Sequence, residues 1–396
     1  MEEKNSNNLE KRKNYFLFVF FALFMFFVGA LTTRTGCDYQ AHREEVEKIT
    51  FKLLSQPLVF IKELYYPLWH LMVKCTMRLF NMSIEYATEI VCGFLVLITY
   101  IQVYRYYEKE SDMDDKCSIF FAFVASVVGP FFMPWYNPYY YIGQSSPNVW
   151  HSPTALVIRP IAFACFWFII RVLKQKETAI KEYILIALLL LLSNLAKPSF
   201  VQILYPTLFI YCIVKVIVSK GKYFKTAFLL FLACVPALLF TIFQYIVAFF
   251  DSEGAGGTEF AFLKYWDYEA PDVLTSLILG ILFPLIVFIR LMIRKKVSLE
   301  MAIGWIMLLV GILEKACLIE KGDRIYAGNF SWGYQLALFF VWVLTIYEYA
   351  KNYYSSKNVI DGSDRIWFKI ETIVLMFHFM FGLRYIYTFV IMNNII

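Results

Sequence analysis

Apolar stretches recur along this chain from Tyr15 to the C-terminus, and no other feature limits the fold as tightly. A bilayer core of ~30 Å is crossed by about 20 apolar helical residues. The stretch AFLLFLACVPALLFTIF does not alternate apolar and polar positions, as the roughly 10-residue strands of a membrane barrel would. Of the residues, 60% are hydrophobic and 17% charged, against about 25% charged in soluble domains. The expectation is an all-α, polytopic transmembrane bundle. Residues 1–396 would form a single integral membrane domain with no separate soluble part. The first apolar stretch, Tyr15–Thr32, follows Lys11, Arg12 and Lys13. It is longer and bulkier than the apolar core of a signal peptide, so it reads as an uncleaved helix.

About eleven spans are predicted, near 15–32, 87–104, 118–134, 154–171, 183–196, 200–218, 226–250, 272–290, 299–318, 333–349 and 367–390. The connections then alternate sides, the outer segments carrying far fewer basic residues, most of them the seven Lys and Arg of the long loop 33–86. The N-terminus and the segments Arg105–Lys116, Arg171–Lys181, Lys215–Lys225, Arg290–Lys296 and Lys351–Lys369 hold 23 Lys and Arg residues. The loop 135–153 holds none, and 251–271 holds only Lys264. Basic short loops stay cytoplasmic, so the N-terminus is placed inside and the C-terminus outside a cell membrane. The compact size and lack of organelle-targeting signals point to a bacterial one. This bias accounts for the net charge of +6 and excludes nucleic acid as a partner. The eight cysteines contain no C-x-x-C pair, which argues against structural zinc.

The long first outer loop, 33–86, is predicted to carry two or three helices lying on or dipping into the membrane. In AHREEVEKITFKLL, Val46, Ile49 and Leu53 share one face, as in an interfacial helix. Within the spans, polar side chains concentrate toward the outer ends: Arg159, Asn194, Lys197, Gln202, Gln244, Glu314, Lys315, Gln335 and Arg384. Ionisable groups at such depth persist where they pair or line a cavity. A cavity open to the outside is therefore expected. The alternative is snorkelling to the interface, which suits Lys197 and Lys315 best.

Candidate chemistry lies in the outer loops. In TRTGCDYQAHREEVE, Asp38 and His42 are four residues apart and share a helical face. A carboxylate there can take a proton from a hydroxyl, with His42 orienting it, meeting a phosphate or joining it on a metal. Equally, Asp38 can simply cap the helix that follows. His70, beside Trp69 and Tyr66, reads as structural. The loop MPWYNPYYYIGQSSPNVWHSPT has no charge but supplies Gln144, Asn148 and His151 among aromatic rings. Rings with amide and hydroxyl partners suit a small polar ligand with apolar faces, such as a sugar. Lys197 in LAKPSF, together with Arg159, Arg324 and Arg384, forms a pool of phosphate contacts. Walker, Rossmann, H-E-x-x-H and G-x-S-x-G patterns are absent.

With its first span followed shortly by GCDYQAH and a long outer loop of interfacial helices, the chain resembles membrane glycosyltransferases of the GT-C superfamily. The likeness covers the layout of nearly the whole chain, but the local motif is short. Asp38 stands alone where many members carry adjacent acidic residues, and the soluble C-terminal domain of some members is missing. The resemblance implies a sugar donor on a polyprenyl phosphate and a glycan, lipid or protein acceptor. It also implies Asp38 as general base, basic side chains on the leaving phosphate, and inversion at the anomeric carbon. A divalent metal is left open. Rival expectations are an outer-leaflet polysaccharide polymerase, a transporter or flippase of lipid-linked sugars, and an assembly partner without chemistry.

Overall fold

The computed structural model describes residues 2–35, 38–133, 135, 146–175, 178–250, 257–355 and 362–392. The chain is 81% helical. Its helices are α1 (Glu2–Leu31), α2 (Asp38–Lys48), α3 (Phe51–Leu54), α4 (Pro57–Glu63), α5 (Leu68–Phe80), α6 (Ile84–Glu110), α7 (Asp115–Val127) and α8 (Pro153–Lys174). They continue with α9 (Ile180–Ala196), α10 (Ser199–Val218), α11 (Phe224–Phe250), α12 (Lys264–Glu269), α13 (Val273–Ile293), α14 (Leu299–Cys317), α15 (Ser331–Tyr354) and α16 (Gly362–Tyr385). Two short strands, β1 (Thr258–Phe260) and β2 (Leu318–Glu320), pair antiparallel, Thr258 opposite Glu320.

Among the described residues, seven helices are long and apolar enough to cross a membrane: α1, α6, α8, α10, α11, α13 and α16. This is a multi-pass helical membrane protein. The other four expected spans are also helical but differ in character. The stretch expected at 118–134 stops at Val127, because Pro130 disfavours helical geometry at Gly129. Its 13 residues rise only about 20 Å. Helix α9 has 17 residues. Helix α14 carries Glu300, Glu314 and Lys315 in its 19 residues. In α15, Tyr and Trp dilute the aliphatic content.

Helix α15 is the axis of the bundle. Every residue from Leu336 to Tyr347 is buried, as in a helix enclosed on all sides. Hydrogen bonds tie it to neighbours on two sides. The Tyr107 hydroxyl of α6 donates to Val343 O at 2.6 Å, and Trp342 Nε1 donates to Gly280 O of α13 at 3.1 Å. Close helix contacts rest on glycines, as is common in membranes. A Cβ on Gly29 of α1 would lie 2.6 Å from Cys92 O of α6, and one on Gly382 of α16 would lie 1.9 Å from Val127 O. Beside that contact, His378 Nδ1 donates to Gly129 O at 2.7 Å, while Gly129 N donates to His378 O. His378 is thus a buried, bonded structural histidine.

The basic end of the bundle is cross-linked by ion pairs: Arg171 with Glu182, Lys174 with Glu300, and Arg294 with Asp364. A buried pair, Arg290 Nε to Glu371 Oε1 at 2.6 Å, joins α13 to α16 just above it. At the other end, the loops before α2, α8, α10, α13 and α15 converge. The first outer loop forms four helices, α2 to α5, rather than two or three. Of these, α5 turns Trp69, His70 and Val73 inward and leaves Leu79 and Phe80 exposed.

Candidate functional site

Three carbonyl contacts build the first wall of the site. Trp150 O accepts from the hydroxyl of Thr32, at the end of α1, at 2.6 Å and from Tyr39 OH at 2.8 Å. Arg43 Nη2 donates to Thr33 O at 2.9 Å. These bonds dock the start of α2 against the segment entering α8. Asp38 is the first residue of α2, where the helix dipole favours a carboxylate. His42, one turn on, lines the same cavity.

That cavity measures about 460 Å³, within the range of small-molecule sites. Asp38, His42, His151 and Lys197 reach it from three separate parts of the sequence. Lys197 sits at the break between α9 and α10, where Pro198 interrupts the helix. It is not a snorkelling residue: only 7% is exposed, against the surface position that snorkelling requires. Its ammonium donates to Thr154 Oγ1 at 3.1 Å and lies 3.9 Å from the centre of the Trp332 ring. Burial pushes its pKa down to about 7, with Asp38 opposing the fall. Lys315, the other expected snorkeller, is also buried, in an ion pair with Glu269 at 2.6 Å.

The histidines form a relay that the sequence did not reveal. His70 Nδ1 lies 3.1 Å from Tyr66 O, and a carbonyl can only accept, so this nitrogen carries hydrogen. His70 Nε2 is then the acceptor for His42 Nδ1–H, 2.9 Å away. His42 is left with an unprotonated Nε2. Burial holds His42 at about 3, helped by the His70 and Lys197 charges, and His70 at about 4. His151 is lowered to about 4 by burial, which Asp38 partly offsets. All three are neutral at physiological pH, so the positive charge on the cavity lining, among the described residues, is that of Lys197 when protonated. Among the described residues, no three His, Cys, Asp or Glu side chains converge as metal ligands.

Comparison with protein families and with curated proteins finds no match.

The remaining expected contacts are distributed differently. Arg159 lies beneath the cavity, buried, donating to Pro147 O at 3.3 Å, its guanidinium over Trp150 and Phe339. It borders recesses of only about 10 Å³, too small for a phosphate. Asn148 is a brace: its amide donates to Ala125 O and Val128 O at 3.2 and 2.9 Å, satisfying carbonyls at the end of α7. Arg324 stands half-exposed at the rim in a pair with Glu320. Arg384 is exposed over the Phe132 ring, away from the cavity lining. Gln144 lies outside the described residues.

The cavity also recruits residues from the segments 265–269 and 326–335. Glu269 and the rings of Tyr265, Tyr268, Tyr326 and Trp332 face Asp38's wall. Through Tyr66, Lys197 and Asn329 it adjoins a recess of about 90 Å³ bounded by Gln202, Gln244 and Tyr245. That recess lies between α10 and α11, two helices with large exposed apolar faces, including Phe209, Ile213, Phe231 and Leu239. The polar cavity therefore borders the lipid-facing side of the bundle.

Proposed function

We propose that this protein is a membrane glycosyltransferase of GT-C type that takes its sugar from a polyprenyl-phosphate carrier. In this reading the chain crosses the membrane eleven times, with the N-terminus cytoplasmic and the cavity extracytoplasmic. The observation that carries it is the placement of Lys197: a buried cation beside a carboxylate, where a polar, aromatic cavity meets a recess on lipid-facing helices. A lipid-linked phosphate needs such a junction, with its charge on Lys197 and its chain leaving between α10 and α11.

Asp38 acts as general base on the acceptor hydroxyl. The acceptor oxygen attacks the anomeric carbon, the bond from that carbon to the phosphate oxygen breaks, and the lipid phosphate leaves. Lys197 stabilises the charge that develops on it. A single displacement inverts the anomeric carbon. The neutral His42 and His151 hydrogen-bond to substrate but add no charge. A polysaccharide polymerase would use the same groups on a longer glycan. A flippase would need a polar path down the bundle, where Tyr106, Phe163, Phe166 and Phe340 instead pack against one another and α15.

Lipid-linked sugars and surface glycans are compared by mass spectrometry in cells carrying wild type, Asp38→Asn or a deletion, at matched protein levels. General-base removal costs about 10²–10⁴ in rate. Asp38→Asn is therefore expected to accumulate the polyprenyl-phosphate sugar and lose one glycan residue. An Asp38→Asn strain matching wild type, beside a deletion that does not, would sink the transferase reading.

A further inference from the structure

The wall facing Asp38 is built as one rigid unit from two outer segments. Strand β1 pairs with β2, and the pairing extends through Ala261 N to Cys317 O at 2.9 Å and Lys321 N to Gly257 O at 2.9 Å. This ties α12 to the segment 318–330. Gly328, at φ +68°, completes the junction: a Cβ there would collide with the Tyr265 hydroxyl.

Two features stand on this unit. The first is a pair of tyrosine rings, Tyr268 and Tyr326, one from each segment. They stack at 4.3 Å between centroids with 29° between planes, yet remain 63% and 48% exposed. Both line the cavity. The second is Glu269, the next residue after Tyr268. Its carboxylate accepts from Tyr265 OH and is held by Lys315 Nζ at 2.6 Å. Lys315 is itself enclosed by the rings of Trp266 and Tyr334. Asn329, whose amide donates to Glu320 Oε2 at 2.8 Å, lies beside them on the lining.

An exposed aromatic surface next to a fixed carboxylate and a fixed amide matches one ligand chemistry closely. A pyranose has an apolar C–H face that stacks on a ring, and adjacent hydroxyls that donate to a carboxylate and bond to an amide. A lipid alcohol has no use for the carboxylate and amide. The donor's charge and lipid recess lie on the Lys197 side, so the exposed tyrosine mouth is left for a ligand arriving from water. Resting on the transferase reading above, we infer that the acceptor is a saccharide, and that the Tyr268–Tyr326 pair with Glu269 and Asn329 is its binding wall.

The test needs no donor and no turnover. Full-length protein in lipid nanodiscs is titrated with a panel of mono- to tetrasaccharides, and intrinsic tryptophan fluorescence is followed. At least one saccharide should quench saturably. The double variant Tyr268→Ala/Tyr326→Ala should raise its Kd by about tenfold or more, while Tyr268→Phe, which keeps the ring, stays within about twofold. If no saccharide saturates, or if the double alanine variant binds as wild type does, the inference is overturned. The transferase reading fails by a different result, namely glycan transfer that survives Asp38→Asn.

Discussion

Replacing or titrating Lys197 gives the most direct measure of what the cavity binds. The ammonium is buried, with the Thr154 hydroxyl and the Trp332 ring as its near partners. Its pKa of about 7 follows from burial, which Asp38 only partly opposes. A sugar on a polyprenyl phosphate is a phosphodiester, singly charged throughout the neutral range. Its arrival favours the ammonium form, so the Lys197 pKa rises and binding takes up a proton. The sign is fixed: affinity is full below the free-site pKa and falls as pH rises through 7. With one group titrating, apparent affinity drops about twofold at pH 7, about tenfold at pH 8 and about a hundredfold at pH 9, until the bound-state pKa is reached. Truncating one partner of a buried charge pair costs roughly 2–5 kcal/mol. Lys197→Met should therefore weaken donor binding by about 30-fold or more at pH 6.5. Lys197→Arg, charged at every accessible pH, should flatten the pH profile. The assay is equilibrium binding of a short-chain polyprenyl-phosphate sugar to protein in nanodiscs from pH 6 to 9. A wild-type affinity that does not move over that range, or a Lys197→Met variant within threefold of wild type, would refute the reasoning.

Two further outcomes follow from the same structure. Folded His42 and His70 resist protonation, holding pKa values of about 3 and 4 against an ordinary 6.5, so the unfolded chain binds more protons between those limits. Thermal stability should accordingly be full above pH 6.5 and decline as pH falls toward 4; His70→Phe should flatten that decline, and an unchanged profile in this variant would contradict the relay. At the opposite end of the bundle, Arg290→Met alone should destabilise by about 3–5 kcal/mol, because it leaves Glu371 buried without its partner. The double variant Arg290→Met/Glu371→Leu should recover most of the loss in a detergent melting assay, and a double variant no better than the single would count against the pair as described.

Part of the site was legible because local rules reach it. The Asp38–His42 spacing defines a helical face by period alone, and the Pro198 break placed Lys197 at a helix junction. The burial of Lys197 and Lys315 was not legible. Snorkelling and burial start from the same sequence, a lysine near a helix end, and only the partners decide: Trp332 for one, Glu269 for the other. Both partners lie more than 40 residues away along the chain. His70 was read as structural for the same reason, since nothing within α5 predicts a bond to an imidazole in α2. Helix length was misjudged at 118–134, where apolar composition continued past Pro130 although backbone geometry did not.

The distribution of charge along the bundle ties these observations together. At the basic end, Arg171, Lys174, Arg290 and Arg294 are each matched by a carboxylate across a helix boundary. Such pairing holds helices together across their boundaries. At the cavity end, Lys315 is likewise matched, and its match fixes Glu269. Lys197 is treated differently: it is buried to a similar depth, yet its near contacts are a hydroxyl and a ring, with Asp38 felt only at longer range. A charge kept in that state costs stability unless something anionic joins it. Arg159 is buried among a carbonyl and two rings in the same way, but it borders only recesses of about 10 Å³, whereas Lys197 lines the 460 Å³ cavity; an under-compensated cation there has the electrostatics of a binding site for an anion rather than of a purely structural assembly.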